Sequence, residues 1–136
     1  MKIKLDRKAY RPTRAHETDA GLDIRAMHDG VVPAKGSATF KTGIRVELPS
    51  SIMGDIRPKS GLMFNHDILT FGTVDEGFSG EIMVHMFNLG KIDYQVLRGD
   101  KIAQLVTTRV VYEPVEVSDE ISGGERGSNG YGSTGR

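Results

Sequence analysis

The apolar residues of this chain recur mostly at a spacing of two, the period of a half-buried strand, and rarely at the 3.6 of a helix. Ile44, Val46 and Leu48 alternate with Arg45 and Glu47, and Ile82, Val84 and Met86 alternate with Met83, His85 and Phe87. Ile3 and Leu5 mark a short first strand; Leu22 with Ile24, Ile52 with Ile56, and Ile68 to Phe71 mark others. Val111, Val115 and Val117 form a β-branched stretch that Pro114 interrupts, which predicts an edge or a bend. Turn signals separate the runs: Asp29-Gly30, Pro33 to Gly36, Leu48-Pro49-Ser50, Gly77 to Gly80 and Arg98-Gly99-Asp100. No stretch of ten residues holds helical periodicity, although Ser60 to Asn65 has room for one short turn of helix. Many short strands at this spacing predict an all-β fold, a barrel or sandwich of jelly-roll type.

Composition narrows the class. The 136 residues suit one domain, and 38% of them are hydrophobic, enough for a real core. Eighteen basic residues balance eighteen acidic ones, which argues against a general nucleic-acid binder or a polybasic membrane binder. There is no Cys, so nothing calls for an oxidising compartment. Met1 to Pro12 lacks an apolar signal core, and no run approaches the ~20 apolar residues that span a bilayer. A soluble protein of the cytoplasm, or of a host cytoplasm if a phage encodes it, is expected. The composition changes near Ser118, and Ser122 to Arg136 reads SGGERGSNGYGSTGR, with one aromatic and no aliphatic residue. Such a segment buries too little to order itself. The expected organisation is therefore a β domain over residues 1–121 and a flexible, Gly-rich arm over 122–136. That arm sets Arg126, Tyr131, Ser133 and Thr134 among glycines, so a cation, a flat ring and two hydroxyls share a mobile backbone suited to closing over a phosphorylated aromatic ligand.

Four internal segments combine glycine with polar residues in ways a plain strand does not need. In Asp19-Ala20-Gly21-Leu22-Asp23-Ile24-Arg25-Ala26, Asp23 lies between apolar neighbours. It points either into a polar site or, as carboxylates in alternating strands commonly do, to solvent. Arg57-Pro58-Lys59-Ser60-Gly61-Leu62 sets two cations, a hydroxyl and backbone N–H groups ahead of the short helical turn. That suits an anion, though an ordinary charged loop carries the same residues. Phe71 to Ile82 reads as a hairpin with its turn near Ser79, and a symmetric hairpin sets Asp75 opposite Met83. Its backbone is placed to read the edge of a flat ligand. Asp75 is either a general base or a turn-capping carboxylate, and Phe78 belongs either to the core or to a ligand. In Arg98 to Val106, Gln104 interrupts an apolar strand, where a buried amide needs hydrogen-bond partners. Arg98-Gly99-Asp100 is a turn before that strand and not a cell-adhesion motif. The four His residues have no metal-ligand spacing.

In their order and spacing these segments resemble the five sequence motifs of the trimeric dUTPases, the deoxyuridine triphosphate nucleotidohydrolases. AGLDIRA is similar to the first motif, RPKSGL to the second, GTVDEGFSGEI to the third, RGDKIAQL to the fourth and RGSNGYGSTG to the fifth. The resemblance covers about Asp19 to Gly135. It implies Mg²⁺-dependent hydrolysis of dUTP to dUMP and pyrophosphate, which limits uracil incorporation into DNA and supplies dUMP for thymidylate synthesis. It also implies jelly-roll subunits in a homotrimer whose active sites each draw on all three chains. Asp75 then matches the carboxylate that activates water for attack on the α-phosphorus, and Phe78 the ring against the deoxyribose that excludes a ribose. Leu69, Gly72, Thr73, Val74 and Met83 match the hairpin backbone that pairs with uracil. Lys59, Ser60, Gly61 and Gln104 match phosphate contacts. Arg126, Tyr131, Gly132, Ser133 and Thr134 match the closing arm, with Arg126, Ser133 and Thr134 at the γ-phosphate and Tyr131 stacked on uracil. Mg²⁺ is then held mainly by the triphosphate and water, with no direct protein ligand and Asp23 contributing through water.

Three positions depart from the family pattern: Lys59 stands for the commoner Arg and gives up its bidentate fork, Phe78 for Tyr, and Tyr131 for Phe. Two other functions share the fold. A dCTP deaminase needs a Glu-centred site and lacks this arm. A nucleotide-gated regulatory binding protein needs a protein partner that no residue here names. Neither a nucleic acid nor a membrane is an expected partner.

Overall fold

Wherever the alternation of two is strongest, the chain forms a strand buried on one face. The computed structural model describes residues 1–125 and 127–130, and among them are eleven strands and one short helix. The strands are β1 (Lys2–Leu5), β2 (Gly21–Arg25), β3 (Gly30–Val32), β4 (Ser37–Lys41), β5 (Ile44–Glu47) and β6 (Ile52–Arg57). Helix α1 (Ser60–His66) follows, then β7 (Ile68–Thr70), β8 (Gly72–Val74), β9 (Met83–Asn88), β10 (Tyr94–Val96) and β11 (Lys101–Arg109). In β9, Val84, Met86 and Asn88 are buried while Met83, His85 and Phe87 face outward. Asp67 ends α1 in the left-handed conformation, φ 55°, with its N–H returned to the Leu62 and Met63 carbonyls.

All the strand pairs are antiparallel. They form a four-stranded sheet in the order β2-β11-β6-β8, a three-stranded sheet β4-β9-β7, and two ribbons, β1-β5 and β3-β10. Neighbours far apart in sequence, such as β2 with β11, make this a jelly-roll-like wrap and not a meander. One core serves all four sheets. Ile24 and Leu105 come from the first, Phe40 and Met86 from the second, and Val32, Val96 and Ile44 from the ribbons; each is at most 1% exposed. Each such side chain contributes about 1.5–3 kcal/mol by leaving water. Gly54 lets the sheet pack this closely, because a Cβ there would lie 2.7 Å from Leu105 Cδ1 and 3.2 Å from Val74 Cβ. The buried Asn88 donates to the Val32 carbonyl (3.0 Å) and the Ile92 carbonyl (2.8 Å) and accepts from Gly90 N–H (2.9 Å), so its polar cost is met.

Two expectations are corrected. Asp75 does not pair with Met83. After Thr70 pairs with Met86 the chain abandons β9, and Gly72 to Val74 pair instead with Ile56 to Gly54 of β6. The free edge of β6 and the seat that Gly54 offers Val74 draw β8 away, while Met83 pairs with Lys41 of β4. Phe71, at the switch, is 69% exposed. The second correction concerns Val111 to Val117, where no strand forms. β11 ends where its partner β6 begins, at the pair Arg109 and Ile52, and beyond the Val110 N–H bond to the Ser51 carbonyl no described residue continues the ladder. Val115 and Val117 are both 93% exposed. No helix among the described residues is long and apolar enough to cross a membrane.

Candidate active site

The antiparallel register sets Asp23 of β2, Gln104 of β11 and Arg57 of β6 in one row across the four-stranded sheet. Asp23 is buried, which decides between the two readings of its sequence: it faces a polar pocket. Its N–H donates to the Thr13 carbonyl at 2.8 Å. One carboxylate oxygen takes the Lys59 ammonium and the other the Lys101 ammonium, the latter at 2.6 Å. Burial alone would push the Asp23 carboxyl up; hydrogen bonds and charge from Lys101 and Lys59 outweigh it and hold the group below its ordinary value.

Each partner has a local reason to be there. Between Lys101 and Ala103 the register of β11 slips against β2, and Ile102 and Ala103 are both buried. This is a β-bulge. Without it, Lys101 would stand on the core face opposite Ala26; with it, Lys101 stands beside Arg25 on the same side as Asp23. Lys59 is the residue before α1, still extended at φ −85° and ψ 132°, so its side chain reaches back to β2. Gln104 Nε2 donates to the Pro58 carbonyl at 3.0 Å and fixes that approach. Gly21 leaves room for the amide, because a Cβ there would lie 2.2 Å from Gln104 Oε1. The result is a pocket of about 330 Å³ bordered by Asp23, Lys59, Ser60, Lys101 and Gln104. Asp19 lines it as well, so two ammonium groups and two carboxylates meet at this pocket, with both oxygens of Asp23 taken up by Lys59 and Lys101. Ser60 and Gly61, the first residues of α1, are exposed at its side.

A second cluster lies at the switch from β9 to β6. Leu69 is half-buried and Gly72 and Thr73 run along β8, while the Val74 side chain belongs to the core. Between β8 and the Met83 to His85 edge of β9 the two strands diverge, and Thr70 Oγ1 closes the base of this fork on the His85 carbonyl at 2.7 Å. The Phe71 and Phe87 rings stack beside it, 5.3 Å apart. Phe78 and Met83 are each 45% exposed at its mouth. The exposed Asp75 directly follows Val74, with its carbonyl accepting Phe78 N–H at 3.0 Å. The returning leg of the turn is pinned by Glu81, which accepts Gly43 N–H (2.9 Å) and Thr42 N–H (3.2 Å).

The two clusters are not together in one chain. Asp23 and Asp75 stand on opposite edges of the sheet, three strand spacings and four residues of register apart, a separation of roughly 20 Å. Another cleft, of about 480 Å³ beside Lys35, His66 and Tyr94, holds none of the predicted residues. Among the described residues no group of His, Cys, Asp and Glu is arranged to hold a metal ion. Arg126, Tyr131, Gly132, Ser133 and Thr134 lie outside the described residues. Lys101 is the member of the first cluster that the sequence reading does not single out. The adjacent apolar pair Ile102-Ala103, out of phase with the alternation, is the signal of the bulge that turns it.

Comparison with known proteins gives the family. A family model described as dUTPase matches residues 7–135. The chain is 46% identical over 135 residues to the deoxyuridine 5'-triphosphate nucleotidohydrolase of Gloeothece citriformis, covering 97% of this chain and 93% of that protein. It is 43% identical over 139 residues to the enzyme of the same name from Clostridium acetobutylicum, covering 99% and 96%. The solved structure of the Staphylococcus bacteriophage 80alpha dUTPase with dUPNHPP matches with a TM-score of 0.88 at 26% identity, over 99% of this chain and 98% of that one. The chain belongs to the dUTPase family.

The Asp23 ion pairs give a pH prediction. The folded-state carboxyl titrates below its unfolded value, so the stabilisation is complete above about pH 4 and is lost as pH falls through the folded value. Urea unfolding of the wild type therefore shows a larger fall in midpoint from neutral to acid pH than unfolding of Asp23→Asn. Parallel pH profiles for the two proteins would contradict the assignment.

Proposed function

We propose that this member of the dUTPase family hydrolyses dUTP to dUMP and pyrophosphate with Mg²⁺, and that Asp75 is the base that activates the attacking water. The observation that carries this reading is the fork left where β8 deserts β9, with an exposed carboxylate at its mouth. An unpaired strand edge offers backbone donors and acceptors to the edge of a flat base. The backbone of Gly72, Thr73 and Val74 on one side, and of Met83 on the other, reads uracil in this way. Leu69 borders the base of the fork. The Phe78 ring packs against the deoxyribose and leaves no space for a 2′-hydroxyl, which disfavours UTP.

Phosphate recognition belongs to the other cluster. Lys59, Ser60, Gly61 and Gln104 hold the triphosphate, and Lys101 keeps Asp23 ionised beside it. In the reaction Asp75 takes a proton from water, the water oxygen bonds to the α-phosphorus, and the bond from that phosphorus to the bridging oxygen breaks to release pyrophosphate. Such transfer depends on positioning and charge neutralisation more than on covalent help. The donor set fits a cation brought by the substrate: Asp23 is a single carboxylate whose oxygens are both held by ammonium groups, suited to contact through water. When bound with the triphosphate, Mg²⁺ supplies charge neutralisation at the phosphates.

A separation of roughly 20 Å within one sheet exceeds the reach of a triphosphate bound beside Asp75. The phosphate cluster then comes from another copy of the chain, which supports shared sites; the homotrimer itself is what the family resemblance implies. Residues 1–121 form the β domain of each copy. Residues 122–136 form an arm that closes over the nucleotide, with Arg126, Ser133 and Thr134 at the γ-phosphate, Tyr131 on uracil, and Gly132 allowing close approach. Closure excludes bulk water from the reacting phosphate.

Pyrophosphate release measured across dUTP, UTP, dTTP and dCTP should show turnover of dUTP alone; deamination of dCTP with no turnover of dUTP would overturn the reading. Asp75→Asn should lose at least about a hundredfold in kcat while still binding the nucleotide, and near wild-type turnover would remove Asp75 from the mechanism. Deleting residues 124–136 should leave a folded oligomer with severely reduced kcat, whereas loss of folding would make the segment structural.

A further inference from the structure

One carboxylate beside Asp75 ties together three remote segments of the chain. Glu76 Oε2 accepts the Ser51 N–H at 2.8 Å and the Tyr112 hydroxyl at 2.8 Å. Ser51 occupies the left-handed region at φ 59°, and its carbonyl accepts Val110 N–H at 2.8 Å. The turn before β6, the turn after β8 and the chain leaving β11 thus converge on Glu76. Asp75 itself has little to hold it. Among the described residues its carboxylate accepts no hydrogen bond, and its backbone is fixed by the Phe78 N–H alone. Anchoring the neighbouring side chain of so short a turn restricts the direction in which Asp75 projects.

Tyr112 has a second property. Beyond it, among the described residues, the chain makes no hydrogen bond back to the β domain; the bonds of Ser118 with Glu120 and of Gly127 with Gly124 are local. Tyr112 is therefore the last tether of the C-terminal segment on its own chain, and it is tethered to the turn that carries Asp75. The Ser51 N–H and the Tyr112 hydroxyl also hold the Glu76 carboxyl below the ordinary range, so it is an ionised acceptor at neutral pH.

We propose that Glu76 and Tyr112 are positioning residues for the hydrolysis: their hydrogen bond, with the Ser51 N–H, aims the Asp75 carboxylate and couples the root of the C-terminal segment to the catalytic turn. This rests on the reading of Asp75 as the base. Neither residue belongs to the groups assigned above to the base, the sugar or the phosphates. Loss of the pair therefore affects the reacting geometry and not substrate affinity, and a small misplacement of a catalytic group lowers rate steeply.

The test is a double-mutant cycle on the full-length protein with dUTP and Mg²⁺, together with the affinity for a non-hydrolysable dUTP analogue. Tyr112→Phe and Glu76→Ala should each lower kcat by about tenfold, with KM and analogue affinity within about twofold of wild type. The double variant should be no slower than the slower single one, because both substitutions break one link. Glu76→Gln, which keeps an acceptor, should recover most of the rate. Unchanged kcat in Tyr112→Phe, a rise in KM without loss of kcat, or losses that multiply in the double variant would overturn the proposal. The parent reading fails separately: if the wild type does not hydrolyse dUTP, or if Asp75→Asn does so normally, Asp75 is not the base and this inference falls with it. An inactive Asp75→Asn beside a fully active Tyr112→Phe would overturn the positioning role alone.

Discussion

The hydrogen-bonded order of the four-stranded sheet is the constraint on which the rest depends. By inserting β11 and β6 between β2 and β8, it holds Asp23 and Asp75 on opposite edges of a rigid body. Backbone ladders fix that separation, and no side-chain rotamer closes it. A single copy therefore carries two separate clusters, a fork with a carboxylate at its mouth and a pocket of paired ions, which we propose take the base and the phosphates respectively. The same order creates the fork, since β8 can pair with β6 only by leaving β9.

Electrostatics follow the same division. The chain has no net charge, and the pocket proposed for phosphate gathers two ammonium groups about the buried Asp23, with Asp19 at its border. Asp23 does not weaken that pocket as an anion site so much as organise it. A buried carboxylate is tolerated only if paired, and the pairing draws Lys59 and Lys101 from separate segments to one point. At the opposite edge Asp75 stands exposed, while Glu76 and Glu81 on either side of it anchor the turn to backbone N–H groups. Of these three neighbouring carboxylates, two hold the turn and one faces outward.

Much of this was legible in the sequence because it is local. The alternation around Val46 and Val84 specifies strands, Ser60 to Asn65 lies within α1, and the ordered motifs point to the dUTPase family that the comparisons establish. What could not be read depends on partners remote in sequence. A strand at Val111 to Val117 has the right residues but no neighbour among the described residues. The hairpin at Asp75 has the right turn, but β6 competes for its first strand. Asp23 reads as an ordinary strand carboxylate until a bulge at Ile102 and Ala103 brings Lys101 to its side of the sheet. Glu76 meets Tyr112 only because β6 and β11 pair as far as Ile52 and Arg109.

The division of the active site between copies is tested most directly by complementation. Chains carrying Asp75→Asn keep the phosphate cluster, and chains carrying Lys59→Ala together with Gln104→Ala keep the base; each alone should be nearly inactive. When the two are unfolded, mixed in equal amounts and refolded together, random assembly around a ring gives about a quarter of the sites both intact halves. Recovery of about that fraction of wild-type pyrophosphate release is the predicted result. Activity in the mixture no greater than the mean of the two parents would contradict the account, and would mean that both clusters serve a site within one chain.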